Sequence, residues 1–399
     1  MNYFKDRIFT LFALILFIII LASLWFPQQF PSLENFRQIL LNVSIETIVA
    51  VGMMVLMIGG VFDLSVGSVV ALSGGLSAYL MVNEGVAVPL AIFAGLVAAV
   101  AVGWVNGFFI ARIGINPLIQ TLATMGMVRG LSLMISGAGI QNLPYEFIYI
   151  GQSKLFKLQS PVWWMLGIVV LFHFLSIRTL FFRRFYYIGG NEKAADLSGI
   201  RVGRMKLYGF ILSALLAGIA GILLTSRIGA SIATMGKGME LRVITAVILG
   251  GASLAGGQGR IIGALLGTIF MGLISNIMVL ARVSGYWQDI ILGILLIGAI
   301  WFDLFIQKKS NKTKLIPISK GVPIKSIFSM LCLCFVFSSC EGPPRDQVTK
   351  TNIPLLELDY TMTTATENEE YVMVTTASSL PLYVPVSYTH LTLPTNREV

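Results

Sequence analysis

The chain has 399 residues, 56% of them hydrophobic and only 12% charged, with a mean hydropathy of +0.83. Soluble domains carry about 25% charged residues, so a soluble globular protein is excluded and a membrane protein of many spans is indicated. The formal charge of +9 does not point to nucleic acid, because the Lys and Arg lie mostly in short loops and no basic patch is interleaved with aromatics.

A span needs about 20 apolar residues. Residues 8–26 form the first; without a small-residue cleavage site this segment reads as a retained anchor, and Pro27 and Pro31 mark its exit. Further spans are expected at 39–58, 66–82, 88–110, 118–135 and 162–177, then at 207–226, 241–249, 261–280 and 287–305, about ten in all. The eighth is short and polar at its start, and Gly250–Gly251 interrupts it early, as in a broken helix. Lys5, Arg7, Arg112, Arg260, Lys308 and Lys309 favour both ends of this unit inside the cell. Gly103-x-x-x-Gly107, Gly126-x-x-x-Gly130 and Gly263-x-x-x-Gly267 allow close helix contact, within one bundle or between copies.

The chain is organised around its longest polar interruption, residues 178–206, where Arg178, Arg183, Arg184, Lys193, Arg201, Arg204 and Lys206 gather. Residues 191–198 carry a helical pattern, and Gly199 stands where a helix C-terminus is expected. A short amphipathic helix between spans, on the positive side, is expected to dock on something in the cytoplasm.

Two glycine-rich stretches flank apolar spans. In residues 58–75, Asp63 with Ser65 and Ser68 is expected either to cap the next helix or to act in gating. Residues 249–260 form a backbone loop; no Lys-Ser/Thr follows, so it is not a phosphate cradle and the chain does not hydrolyse ATP by that route. Gly60-x-x-Asp63-Leu64-x-x-Gly67 is echoed at an offset of 190 by Gly250-x-x-Ser253-Leu254-x-x-Gly257, a pattern of internal repeats. Intramembrane polar residues are functional candidates by default: Glu46, Asn106, Gln120, Thr121, Arg129, Asn276 and Asp289. For Arg129 and Glu46 the alternative is a structural ion pair or snorkelling. The scarcity of deep acids argues against an ion-coupled carrier. Cys332, Cys334 and Cys340 all fall in the last quarter, and His173 and His390 have no Cys or His at ligand spacing, so neither metal nor cofactor is expected.

At residues 59–68, 116–130, 189–200 and 246–259 the chain resembles the membrane permease of bacterial ATP-binding-cassette importers for monosaccharides, the ribose/xylose/arabinose type. The resemblance covers about residues 5–306. It implies an all-α polytopic bundle, type II-like, working as a pair of permease copies in membrane lipid. Its implied partners are a cytoplasmic ATP-binding subunit and a periplasmic or lipid-anchored sugar-binding protein. Gly190, Asn191, Glu192, Ala194, Ala195 and Gly199 match the family's coupling signature, with Lys193 intervening. Asp63, Ser65, Asn116, Gln120, Thr121, Arg129 and Asn276 become candidates for translocation or gating. The alternatives are a permease of the same superfamily for another solute, such as a nucleoside or branched-chain amino acid, a secondary transporter, or a structural or signalling membrane protein.

Residues 307–399 depart from the family. Residues 324–340 read as a lipoprotein signal ending at Cys340, 370–377 resemble the first strand of a sugar-binding protein, and 386–399 look like a cloning or sequencing scar.

Overall fold

The computed structural model describes residues 2–314, 371–375 and 381–385. The chain divides into two compact units, Met1–Ile316 and Pro317–Val399. In the second, strands Tyr371–Thr375 and Pro381–Pro385 form an antiparallel hairpin, with Tyr371 opposite Pro385. The signal-like segment 324–340 and the segment 386–399 lie outside the described residues.

The first unit is a helix bundle, and each of the expected spans is helical. In chain order its helices are α1 (Asn2–Trp25), α2 (Leu33–Ile58), α3 (Val66–Val82), α4 (Val88–Phe108) with a π-helical turn Phe109–Ile113, and α5 (Pro117–Ser136). After these come α6 (Tyr145–Gln152), the small hairpin β1 (Lys154–Leu155) and β2 (Leu158–Gln159), then α7 (Ser160–Arg178), α8 (Leu180–Gly190) and α9 (Glu192–Leu197). The bundle closes with α10 (Val202–Ile228), α11 (Met239–Leu249), α12 (Ile261–Leu280) and α13 (Gly285–Lys314). Among the described residues seven helices are long and apolar enough to cross a membrane. The eighth expected span is indeed the short one: α11 has 11 residues.

Burial sets the layout. The most apolar window of α2 is 83% buried, whereas that of α1 is 17% buried, so α2 is the central post and α1 lies at the periphery of the bundle. Close approach comes from residues without side chains, since lipid offers apolar helices no hydrophobic gain on association. A Cβ on Gly103 or Gly107 would strike α10, and one on Gly263 or Gly267 would strike the backbone of Gly250 or Ala246. Gly126 and Gly130 differ: their faces of α5 are open. Three serines of α3 donate to carbonyls of three neighbours at 3.0 Å, Ser68 to Met125, Ser73 to Gly218 and Ser77 to Ala91. Thr47 and Thr268 join α2 to α12 at 2.7 Å. Interhelical bonds of this kind contribute on the order of 1 kcal/mol each.

The echo between the two glycine-rich stretches is a shared helix ending. Gly59, Gly60 and Val61 donate to Val55, Met57 and Leu56, and Gly250, Gly251 and Ala252 donate to Ala246, Ile248 and Val247 in the same pattern. Gly60 (φ +79°) and Gly251 (φ +96°) supply the left-handed residue that such an ending needs. Beyond it, Asp63 Oδ1 accepts the Ser65 N–H and Ser253 Oγ accepts the Ala255 N–H, the step from the helix ending to the polar residue being one residue shorter in the second stretch.

One element goes beyond the expected loop. Residues 180–190 form α8, with Phe182, Phe185 and Ile188 buried at i, i+3 spacing and Arg183 and Arg184 exposed.

Candidate functional site

The first cluster begins at the break between α2 and α3. Asp63 Oδ1 accepts from the Ser65 N–H at 2.8 Å and from its hydroxyl at 2.6 Å. The Ser65 hydroxyl also accepts from Asn106 Nδ2 at 3.0 Å, and Asn106 Oδ1 accepts from Thr124 Oγ1 at 2.6 Å. Gln120 Nε2 donates to Thr124 Oγ1 at 3.2 Å. This buried chain ties the break to α4 and α5. It corrects one expectation: Ser65 occupies the N-cap position of α3 but makes no side-chain cap bond, and Ser68 is engaged with Met125. The hydroxyl of Ser65 is drawn instead to the Asp63 carboxylate, which is buried beside it. Among the described residues, Asp63 Oδ2 and Glu240 Oε2 have no hydrogen-bond partner.

The second cluster pins residues 229–238 between α10 and α11. Arg129 Nη1 donates to the carbonyls of Ala233 at 2.7 Å and Met235 at 2.8 Å. Gly236 lies so close to Gly67, at the start of α3, that a Cβ on either would hit the other's backbone. Arg129 therefore does not pair with Glu46; it satisfies carbonyls that no helix covers.

The third is a cavity of about 960 Å³ at the end of the bundle where α2 and α13 begin. Its walls carry Asn35, Gln38, Asn42, Glu46, Asn276 and Asp289. Asn35 and Asn276 exchange reciprocal amide bonds of 3.1 and 2.8 Å, joining α2 to α12. Arg242 Nε meets Glu46 Oε1 at 2.7 Å, and Arg227 Nη2 donates to Asn42 Oδ1 at 2.7 Å. The cavity thus presents amides, the Glu46–Arg242 ion pair, the Asp289 carboxylate and the Arg227 guanidinium. Among the described residues no group of three His, Cys, Asp or Glu is placed to hold a metal ion.

The opposite end of the bundle carries α9. Asn191 Oδ1 accepts the Ala194 N–H at 3.0 Å and starts the helix. The Gly199 N–H donates to the Asp196 carbonyl at 2.8 Å with Gly199 at φ +81°, ending it. Lys206 Nζ meets both Glu192 oxygens at 2.7 Å, tying α9 to α10. Ala195 is buried, whereas Leu197 is 89% exposed, an apolar side chain presented to the surroundings.

The structure thus brings Asp63, Ser65 and Gln120 into one network, puts Asn276 in the cavity and gives Arg129 a clamp. Two other candidates do local work: exposed Asn116 accepts the Leu118 N–H and starts α5, and Thr121 Oγ1 bonds back to the Pro117 carbonyl. The sequence did not single out Thr124, Asn35, Gln38 or Asn42, nor the pairing of Glu46 with Arg242. Polar spacing on α5 pointed at Thr124; for the others there was no local signal.

A bundle of long apolar helices, broken between α2 and α3 and carrying a polar cavity at the far end of α2, has the architecture of a membrane permease. The chain belongs to the family described as the branched-chain amino acid transport system / permease component, whose model matches residues 35–300. It is 38% identical to the L-arabinose transport system permease protein AraH of Escherichia coli (strain K12) over 292 residues, 73% of this chain and 89% of that one. Identity to the ribose import permease protein RbsC of Bacillus subtilis (strain 168) is 38% over 299 residues, 73% and 90% of the two chains. The L-arabinose ABC transporter permease protein AraH of Azospirillum brasilense is 36% identical over 301 residues, 75% and 88%. No solved structure matches.

Proposed function

We propose that this chain is the membrane subunit of an ATP-driven importer that moves a monosaccharide across the bacterial inner membrane. The observation that carries this is the similarity to arabinose and ribose permeases over 88 to 90% of their lengths. The cavity fits an uncharged polyol. Its amides offer both donors and acceptors, and Glu46 and Arg242 neutralise each other at 2.7 Å.

In this proposal the α9 end faces the cytoplasm and seats an ATP-binding subunit through residues 190–199, with exposed Leu197 at the contact. The cavity end faces outward toward a sugar-binding protein. Two permease copies assemble, and nucleotide-driven closure of the ATP-binding subunits alternates access to the cavity. Asp63, Ser65, Gln120, Asn276 and the Arg129 clamp shape that path; Asn116 and Thr121 serve it by holding α5. The permease proper ends near residue 306, and the remainder has a separate origin.

The test is uptake of labelled arabinose and ribose in cells that carry only this chain, its ATP-binding subunit and its binding protein. Uptake is expected to require all three and to resist excess leucine. Competition by leucine, or uptake without the ATP-binding subunit, overturns the proposal.

A further inference from the structure

We propose that Tyr186, Gly189, Gly256 and Gly257 form the joint through which motion of α8 and α9 reaches the cavity at the other end of the bundle. This rests on the reading of α9 as the docking element for the ATP-binding subunit. Three backbones meet at the joint: the end of α2, the end of α8 and the loop between α11 and α12. The Gly257 N–H donates to the Ile58 carbonyl at 2.8 Å, and the Tyr186 hydroxyl donates to the Gly259 carbonyl at 2.9 Å. A Cβ on Gly189 would run into the Ile58 carbonyl and the Gly257 nitrogen. One on Gly256 would come within 2.8 Å of both Gly189 Cα and Gly60 Cα. Gly256 (φ +86°) and Gly257 (φ +72°) also hold a conformation that favours glycine. Burial pushes the Tyr186 hydroxyl above its ordinary tyrosine pKa, with Arg260 pulling the other way, so it stays a donor at neutral pH.

Contact of backbone on backbone has no side chain to absorb displacement, so a shift of one element is passed to the others. The geometry of what leaves the joint gives the shift a destination. The post α2 runs from it to Glu46, Asn42, Gln38 and Asn35 in the cavity wall. The loop leads on one side into α11, which carries Arg242, and on the other into α12, which carries Asn276. On the input side, Asn191 alone separates α8 from α9. A helix of 26 residues is about 39 Å long, so a tilt of about 5° at the joint moves the far end by about 3 Å. That is enough to part hydrogen-bonded pairs such as Asn35–Asn276, which join α2 to α12 across the cavity.

The test uses the permease co-expressed with the ATP-binding subunit of the same importer, its native cysteines changed to serine and Gln38→Cys introduced as a cavity reporter. In the parent, labelling of the reporter by a maleimide is expected to change at least about threefold between the nucleotide-free and vanadate-trapped states. Gly189→Ala, Gly256→Ala and the milder Tyr186→Phe should still co-purify the ATP-binding subunit at parental stoichiometry yet lose that response. Uptake should fall about tenfold for the glycine variants and about threefold for Tyr186→Phe. Retained nucleotide response and uptake in the variants overturn the proposal. So does loss of co-purification, which makes the joint part of the docking surface, and so does an unresponsive parent reporter, which leaves nothing to transmit. The docking reading fails separately, if a Gly199→Pro chain still couples fully.

Discussion

Asp63 illustrates how a buried acid is used when the lipid phase leaves it little choice. One oxygen holds the Ser65 N–H and hydroxyl, and through Ser65 the break between α2 and α3 is tied to Asn106 and Thr124. The other oxygen has no partner among the described residues. An amide would keep the first acceptor and put a neutral group at the second position. Asp63→Asn is therefore expected to leave a monodisperse protein and to keep uptake within about twofold, while Asp63→Ala, which strips two donors of their acceptor, should cost about 1–3 kcal/mol. Size-exclusion profiles and uptake check the Asp63→Asn protein, and thermal unfolding in detergent measures the loss in Asp63→Ala. A well-folded but inactive Asp63→Asn protein assigns the role to the charge itself.

At the scale of elements, α9 is short enough that its ends decide its existence. The Gly199 N–H donates to Asp196, and Gly199 sits at φ +81°. Proline there removes the donor and holds φ near about −65°, so the last turn of α9 unravels. Glu192→Arg attacks the other end, replacing the Lys206 ion pair with repulsion. Both variants are expected to insert normally, to lose co-purification of the ATP-binding subunit and to abolish stimulation of its ATPase by the binding protein. Normal values for both measurements remove the docking role from α9. The helix before it shows why part of this end was missed. The dense arginines around residues 178–184 mark the segment as polar, yet Phe182, Phe185 and Ile188 trace one buried face. Three aromatic and aliphatic positions in a charged run are a weak signal until something exists for them to pack on.

At the scale of the whole molecule, the two compact units divide at Ile316 and Pro317, and the family model ends at residue 300. If the permease is complete without the tail, a stop codon after Lys309 should leave uptake unchanged, and the membrane product should have the mass of the shortened chain. Failure of that product to insert or transport makes residues 310–399 part of the permease. The test costs the described bundle little, since α13 is its last element and the stop removes only residues 310–314 of it.

The order and places of the apolar helices were legible in the chain because a bilayer demands runs of apolar residues, and such runs are local; of the ten expected spans, seven described helices are long and apolar enough to cross. The start and stop of α9 were legible for the same reason: Asn191 and Gly199 act on neighbours within a turn. The Asp63–Ser65 pair stood out because acids are rare in apolar surroundings. Tertiary structure alone decided who meets whom. Glu46 finds Arg242 across 196 positions and Asn35 finds Asn276 across 241, and nothing in either local stretch names its partner. The same holds for the crossing of Gly60, Gly189 and Gly256. A glycine in sequence permits close approach, but which backbone arrives depends on how the helices pack, and that packing is a property of the bundle.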